Sequence, residues 1–238
     1  MADERGLRVV AGDRSSPGGS FTGGAVARPS ELATNRVLRN TWLLLAATLL
    51  FSAAMAGLAM AVGMPYLGPI VTLVGYFGLL FLTYRLRNSA AGIAAVFALT
   101  GFMGLTLGPL LSAYLRAVPN GGELVMTSLG VTGLLFTGLS AYAVKSRRDM
   151  GFMGSFLTVG LFGLLGVVLV GLFVDLSAFQ MAISAGVVVL MTGMILYETS
   201  AIIHGGQDNY ILATVSLYVS LYNIFLNLLA LLGMGGDD

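Results

Sequence analysis

The sequence predicts an all-α integral membrane protein of seven transmembrane helices. Charged residues make up 10% of its 238 positions, against about 25% in soluble domains, too few to surface a water-soluble fold. The remaining residues fall into seven apolar stretches, each close to the ~20 residues needed to cross hydrocarbon, and all free of charge but for one acid in the sixth. Glycine, at 33 residues, is about twice its usual share, and small residues are what let membrane helices approach one another.

In chain order the stretches are Trp42 to Val62, Tyr66 to Tyr84, Ile93 to Leu115, Leu124 to Val144, Phe152 to Val174, Ala178 to Ile203 and Tyr210 to Leu232. Gly63-Met-Pro65 and Gly68-Pro69 end the first, because proline lacks an amide donor and disfavours helix in the residue before it. Arg85 to Asn88, Pro119-Asn-Gly-Gly122 and Lys145 to Asp149 are polar turns. Asp175-Leu-Ser177 is the weakest of the breaks. Ahead of the first stretch, residues 1–35 include Ser15-Ser-Pro-Gly-Gly-Ser-Phe-Thr-Gly-Gly24. That composition cannot build a core and reads as a flexible linker. No apolar run precedes Trp42, so the first span is expected to serve as the targeting signal. The domain reading is a tail over 1–35, a helical domain over 36–233 and a short tail over 234–238.

Basic residues fix the expected orientation. All 12 Lys and Arg except Arg116 fall before the first span, between spans two and three, or between spans four and five. Cytoplasmic loops carry the excess of Lys and Arg. The N-terminus and the His204 to Asn209 turn are therefore expected in the cytoplasm and the C-terminal tail in the periplasm.

Within the spans, Gly101, Gly104, Gly108 and Ser112 share a face of the third, and Gly160, Gly163 and Gly166 lie in the fifth; both faces are expected to be close helix contacts. Pro109 removes the bond to the Leu105 carbonyl, which kinks a helix or leaves an acceptor facing a cavity. Catalytic signatures are sparse. The sequence has one His and no Cys, which removes the usual zinc spacings, thiolate metal sites and disulfides. The Gly18 to Gly24 run lacks the Lys-Ser/Thr ending of a phosphate loop. No cofactor, metal or nucleic-acid partner is expected. His204 reads as a helix C-terminal residue capped by Gly205.

Glu198 is the exception to the apolar rule. An acid at membrane depth points to a functional site, although this one lies near a helix end and could also snorkel to water. On the seventh span Ser216, Ser220, Asn223 and Asn227 recur at i, i+4, i+7 and i+11, which places them on one helical face. They either hold the bundle through interhelical hydrogen bonds or form the polar surface opposite Glu198.

Several segments resemble the bacterial YccA branch of the Bax inhibitor-1 family: Val37-Leu-Arg-Asn-Thr41, Phe81-Leu-Thr-Tyr84, Thr100-Gly-Phe-Met-Gly-Leu-Thr-Leu-Gly-Pro109, Glu198-Thr-Ser200, the His204 to Tyr210 turn, and Ala213 to Phe225 with its Tyr-Val-Ser-Leu-Tyr-Asn core. The resemblance covers about residues 36 to 232. It implies seven helices, six surrounding the last, in the bacterial inner membrane. It also implies association with the FtsH ATP-dependent membrane protease and its associated membrane regulators, restraining the protease's action on membrane substrates. The alternative it carries is a pH-sensitive calcium leak built on an acid in each of the last two helices. Glu198 matches the first acid, whereas the second position falls on Ser220, beside Asn223. Arg85 and Arg87 are candidate counter-ions for Glu198, or lipid-phosphate ligands. With one acid in place of two, weak calcium affinity is expected.

Overall fold

The computed structural model describes residues 31–234. Its elements are α1 (Glu31–Ala61), α2 (Pro69–Leu86), α3 (Ala91–Ala117), α4 (Gly121–Ser146), α5 (Met153–Gly171), a 3-10 turn (Ser177–Phe179), α6 (Gln180–His204) and α7 (Tyr210–Met234). Among the described residues there is no strand, and seven helices are long and apolar enough to cross a membrane. The linker residues 15–24 and the last four residues lie outside the described part of the chain.

α1 starts well before Trp42 and takes in the Val37 to Thr41 segment. Its 31 residues reach about 46 Å, against a hydrocarbon layer of about 30 Å, so one end must project. At its other end Gly63 adopts φ 64°, with Gly63 N–H donating to Met60 O and Met64 N–H to Ala59 O. This pair of bonds satisfies the last carbonyls of the helix and needs a residue that accepts a left-handed backbone. α6 ends the same way at Gly205, φ 78°, with Gly206 N–H on Ala201 O at 2.8 Å. In the short break after α5, the Asp175 carboxylate accepts the Ser177 N–H at 2.9 Å. The amide and hydroxyl of Ser177 hold that carboxyl below its ordinary range.

α7 is the hub, packing against α1, α3, α4 and α6, while α2 packs on α3 and α5 on α6. The expected ring of six around the last helix is thus an inner set of four with two outer helices. The core is Leu45 of α1, Val96 and Leu99 of α3, Ile195 of α6, and Leu217, Tyr218 and Ile224 of α7, all buried. α5 exposes Phe156, Val159 and Phe162, and its N-cap residue Phe152 is exposed too, in keeping with its packing on α6.

Glycine sets the closest approach, that of α3 on α1. A Cβ at Gly104 would collide with the Ser52 carbonyl, and one at Gly108 would lie 2.7 Å from the Ala56 carbonyl. Gly101 likewise lies under the Phe51 ring. The expectation for α5 holds only at Gly160, which lies under Leu190; Gly163 and Gly166 face open space, since α5 has no neighbour on that side. Pro109 does not end its helix, and α3 continues through it to Ala117.

Candidate functional site: a buried acid beneath a hydrogen-bonded turn

Glu198 lies in the last two turns of α6, is 8% exposed, and its Oε2 is buried without a hydrogen-bond partner. Ser216 of α7 and Gln207 of the α6–α7 turn present their side chains to the carboxyl group. The hairpin explains the pairing. Glu198 is six positions before His204 and Ser216 six after Tyr210, the two helix ends, so antiparallel arms bring them level. Ser220, buried, lies one turn further along α7 and donates to Ser216 O at 3.0 Å. The resemblance put the second acid's position on Ser220; of the polar stripe, Ser216 is the member that presents its side chain to the carboxyl group.

The rest of the polar stripe turns inward on its own helix. Asn223 Nδ2 donates to Val219 O and Asn227 Nδ2 to Asn223 O, each at 2.8 Å. Both bonds are made within α7. Further interhelical polar contacts come from residues that the spacing did not single out. Tyr218 OH and Ser52 Oγ, on α7 and α1, are 2.6 Å apart, and Tyr218 OH also donates to Thr100 O of α3 at 3.4 Å. Thr214 Oγ1 donates to Tyr210 O at 2.7 Å and to Thr41 O of α1 at 3.3 Å. A lone Tyr or Ser in an apolar run carries no periodic signal, and Ser52 and Tyr218 are 166 positions apart.

Arg85 closes the last turn of α2, and the Arg87 guanidinium lies 4.3 Å over the Tyr84 ring, a cation–π arrangement. Among the described residues neither forms an ion pair with Glu198. What the α2–α3 connection contributes is a backbone carbonyl and a side-chain amide oxygen: Asn209 Nδ2 donates to Arg87 O at 3.0 Å and to Asn88 Oδ1 at 2.9 Å. The Asn209 Oδ1 accepts the Ile211 and Leu212 amides and so caps α7.

The α4–α5 connection is held at the other side of the same turn. Met150 N–H donates to Ser200 Oγ at 3.0 Å, and that hydroxyl donates to Arg148 O at 3.1 Å. His204 Nε2 meets Arg147 O at 3.0 Å, and its Nδ1 meets Ser200 O at 2.9 Å and Ser200 Oγ at 3.3 Å. Arg147 is the only non-glycine residue with positive φ, 48°, among the described residues, and caps α4 in the left-handed conformation. Reading His204 as a helix-end residue captured its position and missed this second attachment.

Near mid-span a cavity of about 430 Å³ lies between α1, α3, α4 and α7. Leu49, Ala53, Leu107, Leu129 and Phe225 are among its walls, with the hydroxyls of Ser52, Thr132, Tyr218 and Tyr222 as its polar groups; no carboxylate lines it.

Residues 34–237 match the family model described as inhibitor of apoptosis-promoting Bax1. The chain belongs to the Bax inhibitor-1 family. It is 54% identical over 215 residues to an uncharacterized protein of Pseudomonas aeruginosa, covering 90% of this chain and 96% of that one. It is 48% identical over 211 residues to the Escherichia coli protein named modulator of FtsH protease YccA, covering 89% and 95%. An uncharacterized membrane protein of Vibrio cholerae is 40% identical over 208 residues. The family and its seven apolar helices are those the sequence segments pointed to.

Proposed function

We propose that this chain is a bacterial inner-membrane protein that binds the FtsH protease complex and modulates its action on membrane substrates. The observation that carries this reading is the 48% identity, over nearly the whole of both chains, to a protein named for that role. Both strongly matching Escherichia coli sequences cover 95% of their length here, and one is named an inner membrane protein. The N-terminus lies in the cytoplasm and the C-terminus in the periplasm on this reading, which follows the distribution of Lys and Arg.

A cation leak is the second reading, and the buried, partly unpaired carboxyl of Glu198 is the observation in its favour. Calcium takes six to eight oxygen ligands, usually with several carboxylates. Glu198 faces Ser216 and Gln207, and the mid-span cavity is walled by apolar side chains. That chemistry favours the modulator.

Affinity purification of the tagged chain from its native membranes in mild detergent tests the proposal. FtsH is expected in the eluate, and removing the chain is expected to shorten the lifetime of membrane substrates of the protease. An eluate without the protease, together with calcium flux from the purified chain in liposomes, would put the leak in first place.

A further inference from the structure

Both ring nitrogens of His204 lie against backbone carbonyl oxygens, Nδ1 against Ser200 O and Nε2 against Arg147 O. Ser200 has one hydroxyl proton, and it points to Arg148 O, an acceptor at 3.1 Å. Toward His204 Nδ1 the hydroxyl therefore offers a lone pair, as does Ser200 O at 2.9 Å. The other nitrogen, Nε2, meets Arg147 O at 3.0 Å, again an acceptor. Both ring nitrogens thus face oxygens that only accept. A neutral imidazole has one N–H, so one oxygen would meet a ring lone pair; the imidazolium donates from both. Its place at the C-terminus of α6 also suits a positive charge.

We propose that His204 is a protonation-dependent clasp that, in its doubly protonated form, ties the α4–α5 connection to the C-terminal end of α6. Loss of one proton removes either the bond to Arg147 O, which spans the two segments, or the bond to Ser200 O, which orients the ring for it. The clasp then loosens as pH rises, while the Met150–Ser200 bond, with no titrating partner, remains. His204 is an exposed residue. The charged residues of the segments that meet here are Lys145 in the last turn of α4, Arg147, Arg148 and Asp149 of the α4–α5 connection, and Asp208 of the α6–α7 turn. The Asp149 carboxylate is engaged by the Gly151 amide at 2.7 Å. Arg87, from the α2–α3 connection, is stacked on Tyr84. Glu198, in the same helix, is the remaining group that could titrate there.

The absence of cysteine makes a distance measurement direct. Spin labels at Phe152→Cys, an exposed position at the start of α5, and Gly206→Cys, where a side chain has ordinary clearance, report the separation of the two segments in the purified, reconstituted chain. A narrow distribution is expected at about pH 5.5, with a second, longer population growing toward about pH 8, the range in which histidine changes charge. One net hydrogen bond shifts the open-to-closed ratio roughly 2- to 10-fold. His204→Gln should show the longer population at every pH, and His204→Arg, permanently charged with several donors, should stay narrow. A distribution indifferent to pH in the parent chain overturns the clasp. So does a pH response that survives His204→Gln and disappears in Glu198→Gln, because the titrating group would then be the buried acid.

Discussion

Glu198 and the residues level with it show what a single position can decide. An antiparallel hairpin puts Ser216 against the acid and Ser220 a turn away, about 6 Å along the axis, with its hydroxyl engaged on Ser216 O. A second carboxylate should therefore act mainly from position 216. Ser216→Asp is expected to give a measurable calcium-dependent rise in melting temperature, and Ser220→Asp a smaller one. Equal rises would mean that the two positions see the same space. Asp175 gives the opposite case, an exposed carboxylate whose pKa Ser177 lowers through its amide and hydroxyl. Its contribution to ordering the turn before α6 is present above the ordinary carboxylate range and is lost as pH falls through the lowered value. Asp175→Ala should remove that acid-dependent step from amide exchange at Ser177, and exchange that keeps it would clear Asp175 of the role. Glu198 was legible in the sequence because a charge in an apolar run is conspicuous. The stripe on α7, Ser216 among it, was legible by its period; which member stands level was not, because that depends on where the turn ends, and Gly205 and Asn209 set it through backbone and capping bonds.

At the scale of the element, the same residue type has two meanings. Gly104 and Gly108 lie where α3 crosses α1, with backbone carbonyls in the space a Cβ would take. Gly163 and Gly166 are also glycines in a helix, but nothing occupies the space beside them. Forcing a side chain into a packed contact costs about 1–3 kcal/mol, while glycine in an open helix position is worth up to about 1 kcal/mol less than alanine. Gly104→Ala and Gly108→Ala should therefore lower the melting temperature by several degrees in detergent, at about 2–4 °C per kcal/mol for a chain of this size. Gly163→Ala should leave it unchanged or slightly raised. A loss at Gly163 matching that at Gly104 would mean that α5 has a partner on its open face. The sequence could show that these residues are small and share a face; it could not show which faces have neighbours, because that is a property of the bundle. Helix ends were easier to read, since Gly63, Pro69 and Gly205 each act locally through allowed backbone angles or a missing donor.

Across the whole molecule, three connections converge at one end: Arg87 and Asn88, the Arg147 to Met150 segment, and the His204 to Asn209 turn are joined by side-chain bonds from Ser200, His204 and Asn209. Helices tied together at one end resist being drawn out singly, which suggests how, on the function proposed above, the chain would restrain an ATP-driven protease that draws its clients out of the membrane. On the topology proposed above, that bonded end is cytoplasmic, together with the residues that precede α1. A cysteine at Gly206 should then be shielded from a membrane-impermeant thiol reagent added to spheroplasts, and one at Asn120 should react; the reverse pattern would invert the topology. A protease of this kind needs an unstructured segment to grip, and the linker composition of residues 15–24 suits that need. The chain would occupy the enzyme as a client that engages readily and is extracted slowly. Deleting residues 2–30 is expected to lengthen its half-life in cells with active FtsH while membrane insertion is unchanged. Asn209→Ala, which removes a cap worth about 1 kcal/mol and two bonds to the α2–α3 connection, should shorten it. If both variants decay like the parent chain, restraint does not operate through slow extraction, and contact with the assembled protease complex becomes the mechanism to test.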